Sequence, residues 1–217
     1  MNKVADWAAK LIIVNLIWFL FNLPGVVIVL NFLLIGKIED LIVLFVQLFI
    51  CSILFLFPAT TAMFAVIRNL ILKSNDTENL FKQFYTNYKK YYKTSLLAGL
   101  IFTLIWTFLI IDFLLFLNIN KLLMFLLMVA GSILLSLTLN YFCTSVYLED
   151  KFFTIFKKAI LITAVNPIFI PIITLMSIII IYFSIAWFQF LIFICSGSII
   201  ATLSFYLYHR FYNRKLT

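Results

Sequence analysis

Long apolar stretches separated by short polar ones set the pattern of this chain. Apolar runs extend from Leu11 to Leu34, Leu41 to Leu72, Thr94 to Leu117, Leu122 to Leu148, Ala159 to Phe183 and Trp187 to Tyr208. Several contain the 18–20 residues without charge, roughly, that cross a hydrocarbon layer about 30 Å thick as a helix. Backbone groups in lipid have no water to bond, so such runs close their hydrogen bonds internally. The pattern therefore predicts an all-α, polytopic transmembrane bundle of about six helices, forming one integral membrane domain.

Proline and small residues mark where these helices bend and touch. Asn22 with Pro24-Gly25 interrupts the first, Pro58 lies near the middle of the second, and Asn166-Pro167 with Pro171 interrupts the fifth. Each proline removes a backbone donor and frees a carbonyl one turn earlier, that of Leu54 in the case of Pro58. Helices 1, 2 and 5 are thus expected to be kinked. The second run would be about 48 Å long as a straight helix, more than the membrane core requires. Ala59, Thr60, Thr61, Ala62 and Ala65 follow Pro58 and give a face on which another backbone can approach closely.

Between the second and third runs the pattern changes. Ser74-Asn75-Asp76-Thr77-Glu78 supplies turn and capping chemistry, and Phe81, Phe84, Tyr85, Tyr88, Tyr91 and Tyr92 then recur at helical spacing. Lys82, Lys89, Lys90 and Lys93 fill the remaining positions. This reads as a short interfacial amphipathic helix whose tyrosine face and lysine stems lie in the headgroup layer. Phe81, Phe84, Tyr85, Tyr88, Lys89 and Lys90 are its candidate contact residues. Phe152 to Lys158, FFTIFKK, reads as a second aromatic and basic turn-back, and its F-x-x-F-then-Lys-Lys order faintly echoes the first.

Polar residues inside apolar runs are the candidate functional positions: Asn15, Asn22, Thr60, Thr61, Asp112, Asn140 and Asn166. For Asn15 and Asn22 interhelical hydrogen bonding is the simpler reading, and a ligand-lining role the other. Asp112 is either an ion or proton site at mid-membrane or an acid near the outer interface, six residues before Asn118. The prolines of the fifth run are either plain kinks or part of a broken-helix substrate site.

Charge orients the chain. With six helices and a cytoplasmic N-terminus, Lys3, Lys10, Arg68, Lys73, Lys82, Lys89, Lys90, Lys93, Lys151, Lys157, Lys158, Arg210, Arg214 and Lys215 fall on the cytoplasmic side. Only Lys37 and Lys121 fall outside. This positive-inside asymmetry places both termini in the cytoplasm of a multi-pass protein of the cell membrane. The net charge of +8 is gathered at the ends of apolar runs, so its partners are anionic lipid headgroups, not nucleic acid.

Chemistry is sparse. Cys51, Cys143 and Cys195 lie singly in apolar runs and read as reduced, buried hydrophobes. His209 is the sole histidine and sits in an aromatic belt with Tyr206, Tyr208 and Tyr212. Neither H-E-x-x-H, nor G-x-S-x-G, nor a phosphate loop is present. The expectation is a protein without catalytic residues, metal or cofactor.

The segments N-L-I-W at Asn15 to Trp18, P-A-T-T-A-M-F at Pro58 to Phe64, F-x-x-F-Y-x-N-Y-K at Phe81 to Lys89 and K-K-A-I-L-I-T-A-V-N-P at Lys157 to Pro167 resemble the YesL-like family of bacterial integral membrane proteins. The resemblance implies a domain of unknown function, often encoded near carbohydrate-uptake systems and their regulators, with no catalytic or binding residues to carry over. It points to an accessory or scaffold role beside a permease or sensor. A small-molecule transporter acting as a homo-oligomer is the alternative. Helix 1 departs from the family pattern, in that Pro24 is followed by Gly-Val-Val-Ile and not directly by the small, Thr-rich stretch; if that stretch corresponds to Pro58 onward, the family core begins in helix 2.

Overall fold

A computed structural model describes residues 3–35, 40–72, 79–116, 119, 121–186 and 195–216. Among these residues the chain is all-helical. Helices α1 (Lys3–Phe21) and α2 (Leu23–Ile35) are followed by α3 (Leu41–Cys51), a π-helical turn (Ser52–Leu56) and α4 (Phe57–Leu72). Then come α5 (Leu80–Phe116), α6 (Lys121–Leu148), α7 (Phe152–Val165), α8 (Phe169–Ala186) and α9 (Gly197–Leu216). Three stretches, Leu41–Leu72, Leu80–Phe116 and Lys121–Leu148, are each long and apolar enough to cross a membrane. The count rises to five if the bent pairs α1/α2 and α7/α8 are each one span. Large apolar side chains such as Leu33, Leu34, Ile42, Phe108 and Leu122 stand on the outer surface, which suits a hydrocarbon solvent.

Asn22 makes the first bend. Its backbone N–H and its side-chain Nδ2 both donate to the Trp18 carbonyl, at 3.2 and 2.8 Å, which closes α1. Its own carbonyl accepts from the N–H groups of Gly25 and Val26 and opens α2. Pro24 therefore sits in the first turn of a new helix, where its missing donor leaves no bond unmade. The two helices meet at 66°. The expected single kinked helix of residues 11–34 is instead two helices, the first beginning at Lys3.

The second run keeps its expected limits, Leu41 to Leu72, and accommodates Pro58 by widening. In the π turn just before the proline, the Phe57 N–H donates to the Ser52 carbonyl, five residues back. This extra residue relieves the clash between a proline ring and the carbonyl of the preceding turn. The Leu54 carbonyl accepts from the Tyr88 hydroxyl of α5 at 3.4 Å. Thr60 Oγ1 and Thr61 Oγ1 donate back to the Leu56 and Phe57 carbonyls.

The expectation of a separate interfacial helix ahead of a helix at 94–117 is corrected. Residues 80–116 form one helix, capped by Asn79, whose Oδ1 accepts from the Phe81 N–H at 3.0 Å. No glycine or proline separates the basic turns from the apolar ones, and the buried positions Phe84, Asn87, Tyr91, Ser95, Ala98 and Phe102 form one stripe through both. Polarity changes along this helix while its backbone continues. The capping stretch expected at 74–78 lies outside the described residues.

Two further boundaries move. FFTIFKK is the start of α7, not a turn before a helix at 159–183, and the break at Asn166-Pro167 separates α7 from α8 with a bend above 40°. Pro171 lies in the first turn of α8, where a proline is tolerated. Residues 187–194 of the expected last helix lie outside the described residues, and α9 runs on to Leu216, past Tyr208.

Helix α4 is the hub, packed against α1, α5, α6 and α9, with Ala59, Ala62, Phe64, Ala65, Val66 and Ile67 fully buried. Against α5 the seam is ordered from one end to the other. Ser52 and Thr103 share a hydroxyl hydrogen bond at 3.0 Å, Gly99 faces the π turn, and Ser95 Oγ donates to Thr61 Oγ1 at 2.8 Å. A Cβ at Gly99 would lie 3.2 Å from both Ile53 Cα and Phe57 Cβ. Gly99→Val should therefore push α5 off the π turn and cost on the order of 1–3 kcal/mol. Thermal denaturation of the detergent-solubilised protein checks this, with Gly131→Val as the milder comparison, since its nearest neighbour is a leucine side-chain tip at 3.6 Å.

Candidate functional site

Among the described residues the densest polar contact set lies where α6 ends. Glu149 follows the last residue of α6 and adopts a left-handed backbone, φ 51°, a helix-ending conformation more usual for glycine. For a residue with a Cβ this costs about 1–2 kcal/mol. Three side chains hold it there. Arg68 Nη1 of α4 lies 3.0 Å from Oε1, Lys90 Nζ of α5 lies 2.6 Å from Oε2, and the Tyr91 hydroxyl of α5 donates to Oε1 at 2.7 Å. Arg68 Nη1 also donates to the Val146 carbonyl, at the unsatisfied end of α6. Asn69 Oδ1 accepts from Arg68 Nε and Nη2 at 3.2 and 3.1 Å and fixes the guanidinium plane. One carboxylate thus ties three helices together. Burial alone would raise the Glu149 pKa, but hydrogen bonds from Lys90, Tyr91 and Arg68 outweigh it and hold the group down at about 2.

No motif or local spacing in the sequence marks Glu149. The available signal was topological: two antiparallel hairpins bring the C-terminal ends of α4 and α6 and the N-terminal end of α5 to one level. Arg68 and Lys90 then have Glu149 as a carboxylate within reach. Asp150, its neighbour, pairs with Lys158 at 2.8 Å.

The polar residues expected in the interior are distributed among separate helix contacts. Asn15, fully buried on α1, accepts from the Ser198 N–H at 2.9 Å and so caps α9. Trp18 Nε1 donates to Thr60 Oγ1 at 3.1 Å across α1 and α4, and Thr61 meets Ser95 across α4 and α5. Asn140 Nδ2 donates to Thr163 Oγ1 at 2.9 Å across α6 and α7. Asn22 and Asn166 bond within their own chain breaks, to Trp18 and Ile162. Asp112 stands exposed near the end of α5. These contacts fall in several seams. The expected contact face is likewise divided: Phe84 is buried against Phe21 with centroids at 5.0 Å, Tyr88 is half-buried, and Lys90 is taken up by Glu149. Phe81, Tyr85 and Lys89 remain exposed.

Concave space is found between α2 and α3. An apolar groove of about 580 Å³ is lined by residues including Trp18, Phe19, Asn22, Val29, Leu33, Leu48, Cys51 and Phe55. A smaller one of about 260 Å³ on the other side of α2 is lined by residues including Asn31, Asp40 and Gln47. Among the described residues no three His, Cys, Asp or Glu side chains come together to hold a metal ion.

The sequence profile of a family described as "Protein of unknown function, DUF624" matches residues 38–113. The matched stretch is the α3–α4 span and nearly all of α5, the two helices whose seam is described above. No curated protein and no solved structure matches the chain.

Protonating Glu149 should loosen the knot. Its folded pKa lies below the ordinary 4.5, so its contribution is fully present above about pH 4.5 and is lost as pH falls toward 2. With the carboxylate 40% exposed, water screening limits the contribution to on the order of 1 kcal/mol. Glu149→Gln should lower thermal stability at pH 7 and remove part of the acid sensitivity between pH 4.5 and 2, measured by unfolding the two proteins side by side.

Proposed function

We propose that this chain is a multi-pass protein of the bacterial cell membrane, of the YesL-like type, with six spans and both termini in the cytoplasm. The spans would be α1/α2, α3/α4, α5, α6, α7/α8 and the stretch ending in α9. In this reading it has no chemistry of its own, binds no cofactor, and serves as an accessory or scaffold component beside a permease or sensor concerned with carbohydrate uptake.

The observation that carries this reading is the use made of its polar side chains. Asn15, Thr60, Thr61 and Asn140 each serve a different helix contact, and the ionic cluster around Glu149 joins three helices at an end of the bundle. Polar groups committed singly to packing suit a rigid body that presents a surface. A dimeric small-molecule transporter is a second reading, favoured by the groove between α2 and α3 and the break at Asn22 on its wall.

Mild detergent extraction of the native membrane with the tagged full chain tests the choice. The accessory reading expects a permease or histidine kinase to co-purify at stoichiometric level, and that recovery should fall when Phe81 and Tyr85 are replaced by alanine. Recovery only as a monomer or self-dimer, together with solute uptake by purified protein in vesicles, would overturn it in favour of transport.

A further inference from the structure

Helix α5 presents one uninterrupted outward stripe whose chemistry changes along its length. Lys82, Tyr85, Lys89 and Lys93 are exposed, and in the same helical register Leu97, Leu100, Leu104 and Phe108 are exposed after them. The steps are of three or four residues throughout, so all eight side chains lie on one face. Lys89 Nζ sits 4.4 Å from the centre of the Tyr85 ring, which directs its ammonium group along the stripe. Among the described residues no carboxylate pairs with Lys82, Lys89 or Lys93, whereas Lys90, on the next face round, is neutralised by Glu149. The apolar end has the composition of a surface that meets acyl chains, and the basic end lies directly beyond it. By helical rise Lys93 is about 6 Å and Lys89 about 12 Å from Leu97, within the reach of lysine stems that extend into a headgroup layer.

We propose that this stripe is a binding site for one anionic glycerophospholipid. Its acyl chains lie on Leu97, Leu100 and Leu104, and its phosphate is held by the ammonium groups of Lys89 and Lys93, with Tyr85 backing Lys89. The site deepens the membrane reading given above and rests on it; the charge complementarity and the position of the lysines at the edge of an apolar face select a lipid over a soluble anion. Lys82, about 22 Å from Leu97 by helical rise, lies beyond the headgroup and takes no part.

The detergent-solubilised full chain is titrated with phosphatidylglycerol, phosphatidylcholine and inorganic phosphate, and bound lipid is read by native mass spectrometry. Phosphatidylglycerol should be retained in preference to phosphatidylcholine. The exposed-site double variant Lys89→Gln/Lys93→Gln should bind it about thirtyfold more weakly, as expected for two basic groups at an anionic surface. Lys121→Gln, at the other end of the helices, should bind as the unaltered protein does. Equal retention of the two lipids, or displacement of phosphatidylglycerol by inorganic phosphate at equal concentration, would overturn the proposal. Indifference of the double variant would do the same. Labelling of Lys82→Cys by a membrane-impermeant thiol reagent from outside intact cells would overturn the orientation assigned above while leaving the lipid site standing.

Discussion

A proline inside an apolar helix has no N–H to give and a ring that crowds the turn before it, and Pro58 imposes both conditions on the α3–α4 span. The fold is arranged around that constraint. The π turn at Ser52–Leu56 opens the helix enough for the proline ring, and the Tyr88 hydroxyl of α5 donates to the Leu54 carbonyl at 3.4 Å. Against the same turn α5 carries Gly99, where a Cβ would lie 3.2 Å from Ile53 Cα and Phe57 Cβ, so the close approach of the two backbones there needs a glycine. The hydroxyl pairs Ser52–Thr103 and Thr61–Ser95 lie along the same seam. The helix defect thus lies on the seam with α5, the longest helix among the described residues.

From this seam the remaining contacts follow outward. Small residues on α4, Ala59, Ala62 and Ala65, let α1, α6 and α9 approach it, and the gain there is van der Waals contact, since lipid offers no hydrophobic drive between helices. Asn15 fastens α9 to α1 by capping its first turn beside Gly197, where a Cβ would lie 2.9 Å from the asparagine oxygen. Glu149 closes the bundle at one end. Its left-handed backbone is a local cost that the Arg68, Lys90 and Tyr91 contacts offset. The N-terminal half of α5 therefore has an inward ionic face, used for cohesion, and an outward basic face left for the surroundings.

How much of this could be read from the residues varies by element. The limits of the α3–α4 span were legible because its apolar run is flanked by polar turns. The stretch matched by the family of unknown function, 38–113, covers this span and nearly all of α5. The continuity of α5 was hidden: the run changes from lysine and tyrosine to leucine near Lys93, and a change of solvent looks in sequence like a change of element. The inward burial of Phe84 and Tyr91 was hidden for the same reason, since periodicity shows a face but not which neighbour covers it. Glu149 was not found because its partners are 59 and 81 residues away and no local spacing relates them.

The α4–α5 seam holds the centre of the bundle, and one crosslink tests it most directly. In a cysteine-free background, Thr61→Cys and Ser95→Cys place two thiols where the native hydroxyl oxygens are 2.8 Å apart. Side chains at that separation fall within the geometry a disulfide accepts. Mild oxidation in native membranes, followed by proteolysis in the connection between α4 and α5, should leave the two fragments joined in nearly every molecule, with Thr61→Cys/Leu104→Cys remaining unjoined. Fragments that separate, or join equally in both variants, would contradict the packing of α5 against α4 on which the rest of the bundle depends.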